Sequence, residues 1–206
     1  MFKAELLQEI RDRFHHVDQC PYQGSRIFFE NAGGSLTLKS VVEVSAHFAS
    51  IPDNQGRDNP ASRELVRIIN KAREDMMTFF GVSEGVVFTG ESGTELLFRL
   101  VRAAIFGSAE GGNVIGSTLE HPATASARSQ WSPIAGKENI SIAHDKDQAM
   151  VTAEHYLEHV TAETRVATII QTSPVVGMAV DVKKIAEAIR SKSPDCFIIV
   201  DSIQHA

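Results

Sequence analysis

Val166-Ala167-Thr168-Ile169-Ile170-Gln171-Thr172-Ser173-Pro174 is the stretch on which the fold turns. Five uncharged residues, four of them β-branched, run to a glutamine, two hydroxyls and a proline. A strand covered on both faces is written and stopped in this way. The same grammar stands on either side. Residues 181–191 carry helical spacing, and Cys196-Phe197-Ile198-Ile199-Val200 is a second buried run, ending at Asp201. Upstream, Asn113-Val114-Ile115-Gly116 is a strand leading into Glu120-His121-Pro122 and a helix toward Trp131. Ile140-Ser141-Ile142 is a weaker strand, and Ala153 to Val160 a short helix. Val86-Val87-Phe88 reads as a further buried strand, ending in Thr89-Gly90-Glu91-Ser92-Gly93-Thr94 before a helix through Leu96, Leu97, Leu100 and Val101. Strands each followed by a helix specify an α/β fold, a mostly parallel sheet with helices on both faces.

Before residue 86 the periodicity is helical. Leu6, Leu7, Ile10, Phe14 and Val17 predict an amphipathic helix over 3–17. The run Ile27-Phe28-Phe29 stops at the loop signal Asn31-Ala32-Gly33-Gly34, and Ser35 can cap a helix running to about Ser50. Pro52-Asp53-Asn54-Gln55-Gly56 breaks it. Leu65, Ile68, Ile69, Ala72, Met76, Phe79 and Phe80 define another helix over 61–80, closed by Gly81. No repeat or low-complexity tract interrupts the pattern. The expected organisation is an N-terminal segment over 1–60 and a sheet domain over 61–206 that stops just past a buried strand, as the front part of a longer protein would.

Composition narrows the function. Hydrophobic residues make up 43% and charged ones 22%, so a packed core is expected. Twenty Lys plus Arg against 26 Asp plus Glu leave a formal charge of −6, which disfavours nucleic acid or an anionic membrane as partner. Two cysteines are too few for a disulfide framework or a Cys-rich zinc site, and no metal site is expected. Cys196 belongs with the core; Cys20 has no assignment. The N-terminal residues carry charges and do not form a secretory signal. No apolar run approaches the roughly eighteen residues of a membrane helix. A soluble, cytoplasmic chain is expected.

Ligands of open α/β sheets bind beyond the carboxyl ends of the strands. Ser92, Gly93 and Thr94 open a helix there, which suits a phosphate or is an ordinary capping loop. They form neither a P-loop nor a dinucleotide fingerprint. His121 can act as acid or base, bind a metal, stack on a flat ring, or be a bland surface residue. Thr172 and Ser173 can donate to a ligand or cap their turn, and Gln204 lies one turn beyond Asp201. Asp201 directly follows five apolar residues and needs a partner if buried. A phosphate seat, an imidazole, a carboxylate for a ring cation and an amide together suit pyridoxal phosphate, whose pyridine nitrogen works as an electron sink when paired with an anion.

From Phe29 to His205 the chain resembles the class V aminotransferases, fold-type-I pyridoxal-phosphate enzymes that include cysteine desulfurases and isopenicillin-epimerase-like proteins. The matching stretches are Asn31-Ala32-Gly33-Gly34, Val87 to Glu95, Glu120-His121-Pro122-Ala123 with Trp131, Thr172 to Gly177, and Val200-Asp201-Ser202-Ile203-Gln204. The resemblance implies the large domain of that fold and pyridoxal 5'-phosphate as cofactor. It implies that Ser92, Gly93 and Thr94 hold the phosphate, and that His121 stacks on the ring. Asp201 would pair with the ring nitrogen, Gln204 with the phenolic oxygen, and Ser173 would contact the cofactor. Asn31 and Ala32 would border the substrate. His121 and Asp201 are thus the implied catalytic pair, and a homodimer acting on an amino acid as its small-molecule substrate is implied as well. Pro174 and Phe98 stand where many relatives carry asparagine.

The family's chemistry needs a Schiff-base lysine beyond the Asp-x-x-Gln segment. Lys3, Lys39, Lys71, Lys137, Lys146, Lys183, Lys184 and Lys192 all read as solvated surface charges. Two functions are therefore weighed. One is a pyridoxal-phosphate enzyme whose lysine lies outside this sequence, the chain alone being inactive. The other is a non-catalytic remnant or partner-binding fragment of the same fold. A nucleotide-binding α/β protein is disfavoured by the missing glycine-rich loop. Desulfuration, transamination, epimerisation and β-elimination share their early steps, and no residue separates them.

Overall fold

The stretch around Ile169 lies in the middle of a parallel sheet. In the computed structural model, which describes residues 2–52 and 55–205, the chain divides into two compact units, Met1–Phe88 and Thr89–Ala206. The second unit holds the sheet. Its elements in chain order are α4 (Gly93–Gly107), β3 (Asn113–Ser117), α5 (Pro122–Ile134), β4 (Glu138–Ile142), α6 (Ala153–His159), β5 (Thr164–Ile170), α7 (Val182–Lys192) and β6 (Phe197–Asp201). All pairings are parallel, and the strand order is β4-β3-β5-β6.

Two apolar layers cover this sheet. On one face Leu97, Val101 and Ile105 of α4 and Ala127 of α5 pack on Val114, Val166 and Ile199. On the other, Tyr156 of α6 and Ile185 and Ile189 of α7 pack on Ile115, Ala167 and Ile169. Alternate residues of each strand enter opposite layers, as the pleat requires. The α/β class and the helices on both faces stand as expected from the sequence.

Strand order places the site. The chain leaves β3 for β4 on one side, then returns across to β5 on the other, so the order reverses between β3 and β5. Connections diverge at such a switch point and leave a crevice beyond the strand ends.

Three expectations are corrected here. Val86-Val87-Phe88 forms no strand and pairs with none among the described residues, and Val86 and Phe88 are each 77% exposed. An apolar run has strand propensity, but a ladder also needs a neighbour offering free backbone groups. Among the described residues β6 is an edge rather than a fully buried strand, with Phe197 48% exposed. Lys137 is no surface charge: it is 5% exposed, and its Nζ donates to the carbonyls of Ala109 and Gly111. Burial, helped by Arg165, pulls this amine below its ordinary value.

The first unit contains α1 (Ala4–Asp12), the hairpin strands β1 (Gln19–Cys20) and β2 (Gly24–Ser25), α2 (Lys39–Ala49) and α3 (Pro60–Phe79). α1 is shorter than the apolar spacing predicts, and α2 begins at Lys39 without a cap from Ser35. The predicted break over 52–56 falls partly on Asp53 and Asn54, outside the described residues. α3 is framed by its ends. Asn59 Oδ1 accepts from the N–H of Ser62, Pro60 opens the first turn, and Gly81 at φ 64° lets Val82 bond back to Met77. No described helix is long and apolar enough to cross a membrane.

Candidate active site

The expected residues of this unit stand at three strand ends and one helix start. After β3 the chain turns through Thr118 and Leu119 to Glu120, which folds back beneath the site. Its Oε1 accepts from the Ser117 N–H at 2.9 Å and from Thr168 Oγ1 at 2.8 Å. Its Oε2 meets Arg128 Nε at 3.2 Å. Arg128, 1% exposed, also donates to Asn139 Oδ1 at 3.0 Å and to the Ile140 carbonyl at 3.1 Å. The cluster sits on Gly116, where an added Cβ would fall 2.2 Å from Thr168 Oγ1 and 2.5 Å from Glu120 Oε1. Burial pushes the Glu120 carboxyl above its ordinary value, against the opposing pull of Arg128, Thr168 and the Ser117 N–H. Behind it, Tyr156 donates its hydroxyl to the Thr168 carbonyl at 2.7 Å, and burial raises this phenol well above its usual range.

His121 follows at once and caps α5. Its Nδ1 accepts from the Ala123 N–H at 3.1 Å, with Pro122 at the first helical position. A neutral imidazole that accepts at Nδ1 carries its hydrogen on Nε2. One turn on, the buried Thr124 donates from Oγ1 to Asp201 Oδ2 at 3.4 Å. Asp201, 5% exposed, ends β6 opposite Ile170, and its Oδ1 accepts from the Ile203 N–H at 3.2 Å. No cation is paired with this acid among the described residues.

The rim is tied together by side chains. Ser173, 1% exposed, donates to the Leu119 carbonyl at 3.3 Å and accepts from the Val175 N–H. Thr172 Oγ1 meets His205 Nδ1 at 3.0 Å, and Ser202 donates to Gln171 Oε1 at 2.6 Å. Gln204 is half-buried beside them.

At the start of α4, Ser92 Oγ accepts from the Glu95 N–H and its carbonyl accepts from Leu96. The N–H groups of Gly93 and Thr94 precede any helical acceptor, so they point out of the helix end. A Cβ on Gly93 would lie 2.7 Å from Ile203 Cδ1, which places this helix end against the loop after Asp201. Asn31 and Ala32 belong to the other unit, where they are exposed in a turn closed by Gly33 and Gly34 bonding to the Glu30 carbonyl. In that unit Gly34 and Ser35 border a cavity of about 460 Å³ with His15, His16, Arg26 and Phe28.

Sequence reasoning assigned no role to Gly116, Thr124, Arg128 or Thr168. Two of them left a signal: a glycine inside a buried strand marks close approach, and an arginine on the apolar side of a helix needs a buried partner.

The residues fit a phosphorylated cationic ring. The helix end offers free N–H groups and a positive dipole to an anion, while a buried acid without a cation calls for a positive partner. A doubly wound α/β unit with such a site at its switch point defines the class. The family profile described as Aminotransferase class-V matches residues 27–206, and the chain belongs to that family. A probable cysteine desulfurase of Mycoplasma genitalium is 28% identical over 187 residues, covering 86% of this chain and 44% of the relative. The cysteine desulfurase-like protein ustD of Aspergillus flavus is 26% identical over 87% of this chain and 42% of its own length. The chain thus spans less than half of these relatives. Among solved structures, a cysteine desulfurase of Thermococcus onnurineus superposes with TM-score 0.78 at 18% identity, over 98% of this chain and 48% of that one. A variant of C-DES with glycine covalently linked to its PLP cofactor superposes with TM-score 0.75 at 16% identity, over 95% and 50%. Likeness at this identity concerns the fold.

Proposed function

We propose that the chain supplies the cofactor-binding part of a pyridoxal-phosphate enzyme that acts on an amino acid as cysteine desulfurases or class V aminotransferases do. The observation that carries this is Asp201, a buried acid with no cationic partner among the described residues, joined through Thr124 to the helix capped by His121. When bound, the cofactor supplies an electron sink for charge developing at the substrate's α-carbon. The N–H groups of Gly93 and Thr94, with Ser92, anchor its phosphate. His121 presents its ring face, Asp201 holds a proton on the ring nitrogen, and Gln204 faces the phenolic oxygen. Ser173 braces the rim from behind, since its hydroxyl is engaged with Leu119 and Val175. A homodimer is proposed as the working assembly.

The test uses the full-length protein reconstituted with pyridoxal phosphate. It should retain the cofactor's visible absorbance through desalting; a colourless preparation overturns the proposal. Asp201→Ala should reduce turnover more than cofactor retention, because the phosphate seat is untouched. Unchanged turnover removes the role given to Asp201.

A further inference from the structure

We infer that Thr124 is a positioning residue, orienting the Asp201 carboxylate toward the cofactor ring from the same helical turn that carries His121; this rests on the cofactor role of Asp201 proposed above. Thr124 stands at a junction. Its N–H donates to the His121 carbonyl at 3.0 Å, and its hydroxyl donates to Asp201 Oδ2 at 3.4 Å. Both Thr124 and Asp201 are buried, at 1% and 5% exposure, so water does not replace the contact freely.

The hydroxyl of a threonine in a helix ordinarily bonds to a carbonyl of the preceding turn. Here it reaches across to the end of β6 instead. The side-chain plane of an aspartate is set by a soft, roughly two-fold torsion, so external donors must fix it. Among the described residues, Asp201 Oδ1 accepts from the Ile203 N–H of its own turn, and Oδ2 from Thr124 of α5. The first travels with the β6 loop. The second refers the carboxylate to the helix whose cap is the imidazole, and so couples the two groups that would flank the ring. Thr124 needs no contact with the cofactor to do this.

The experiment compares two probes on the full chain by equilibrium dialysis, pyridoxal phosphate and its deaza analogue in which CH replaces the ring nitrogen. Wild type should prefer the first. Thr124→Val, which keeps the shape and removes the hydroxyl, should lose about tenfold of that preference, while Thr124→Ser retains it. Both variants should bind the deaza analogue and inorganic phosphate as wild type does. Equal weakening of both ring probes in Thr124→Val would make the residue merely structural and overturn the inference. So would full preference in Thr124→Val beside a lost preference in Asp201→Asn, an outcome that leaves the cofactor role of Asp201 standing. If wild type and Asp201→Asn discriminate alike, that role itself fails and the inference with it. Thr124→Ala gives the same comparison if valine is not accommodated.

Discussion

Arg128 lies directly over the backbone of Gly116, so that a methyl group on the glycine would come within 2.7 Å of the guanidinium carbon. The strand therefore has no room for a side chain at this point, where a buried charge rests on it. Gly116→Ala should push Arg128, Glu120 and Thr168 apart together and cost about 1–3 kcal/mol, read as a lower urea midpoint with unchanged slope. A variant as stable as wild type would mean the cluster relaxes without loss.

The ion pair itself can be dissected by a double-mutant cycle. Glu120→Gln or Arg128→Met alone leaves one charged or polar partner stranded and should cost about 3–5 kcal/mol. The double variant should cost clearly less than their sum; additive losses would show the two side chains to be independent. The acid also sets a pH dependence. Burial holds the Glu120 carboxyl above its ordinary value, so the folded chain keeps a proton that the unfolded chain has released. Stability should fall as pH rises from the ordinary carboxylate range through that raised value, and Glu120→Gln should flatten this slope.

His121 has two separable parts, a capping nitrogen and a ring. His121→Asn keeps a capping oxygen and removes the ring, so folding should change little while pyridoxal-phosphate affinity drops. His121→Phe keeps a flat ring and loses the acceptor for Ala123, with an expected loss of about 0.5–2 kcal/mol in stability. Thermal unfolding and cofactor binding measured side by side check this; identical behaviour of the two variants would refute the separation.

The two cysteines should titrate apart. Burial pushes the Cys196 thiol up to about 11, while the N–H groups of Tyr22 and Gln23 hold the Cys20 thiol below its ordinary value. At pH 8 a disulfide reagent should modify one thiol in the native chain and two in denaturant. Fast modification of Cys196 in the native chain would contradict its burial.

What the sequence disclosed was local. Asp201, His121 and the Ser92–Thr94 turn were legible because each stands at a strand or helix boundary that periodicity locates. The support beneath them was not. Glu120 and Thr168 are 48 residues apart in sequence, on elements whose adjacency only the strand order creates. Lys137 misled for a similar reason: a charge reads as solvated until the carbonyls of a distant turn are seen to surround it. Residues 86–88 misled in the opposite sense, since an apolar triplet states a propensity for pairing and says nothing of a partner.

Ser173 holds the Leu119 carbonyl, and Ser202 donates to Gln171 Oε1. Neighbouring loops are thereby sewn to one another rather than to the sheet alone. Transplanting a single loop from a relative would cut a stitch on each side of it, so altering selectivity by grafting demands that adjoining loops be exchanged as a set.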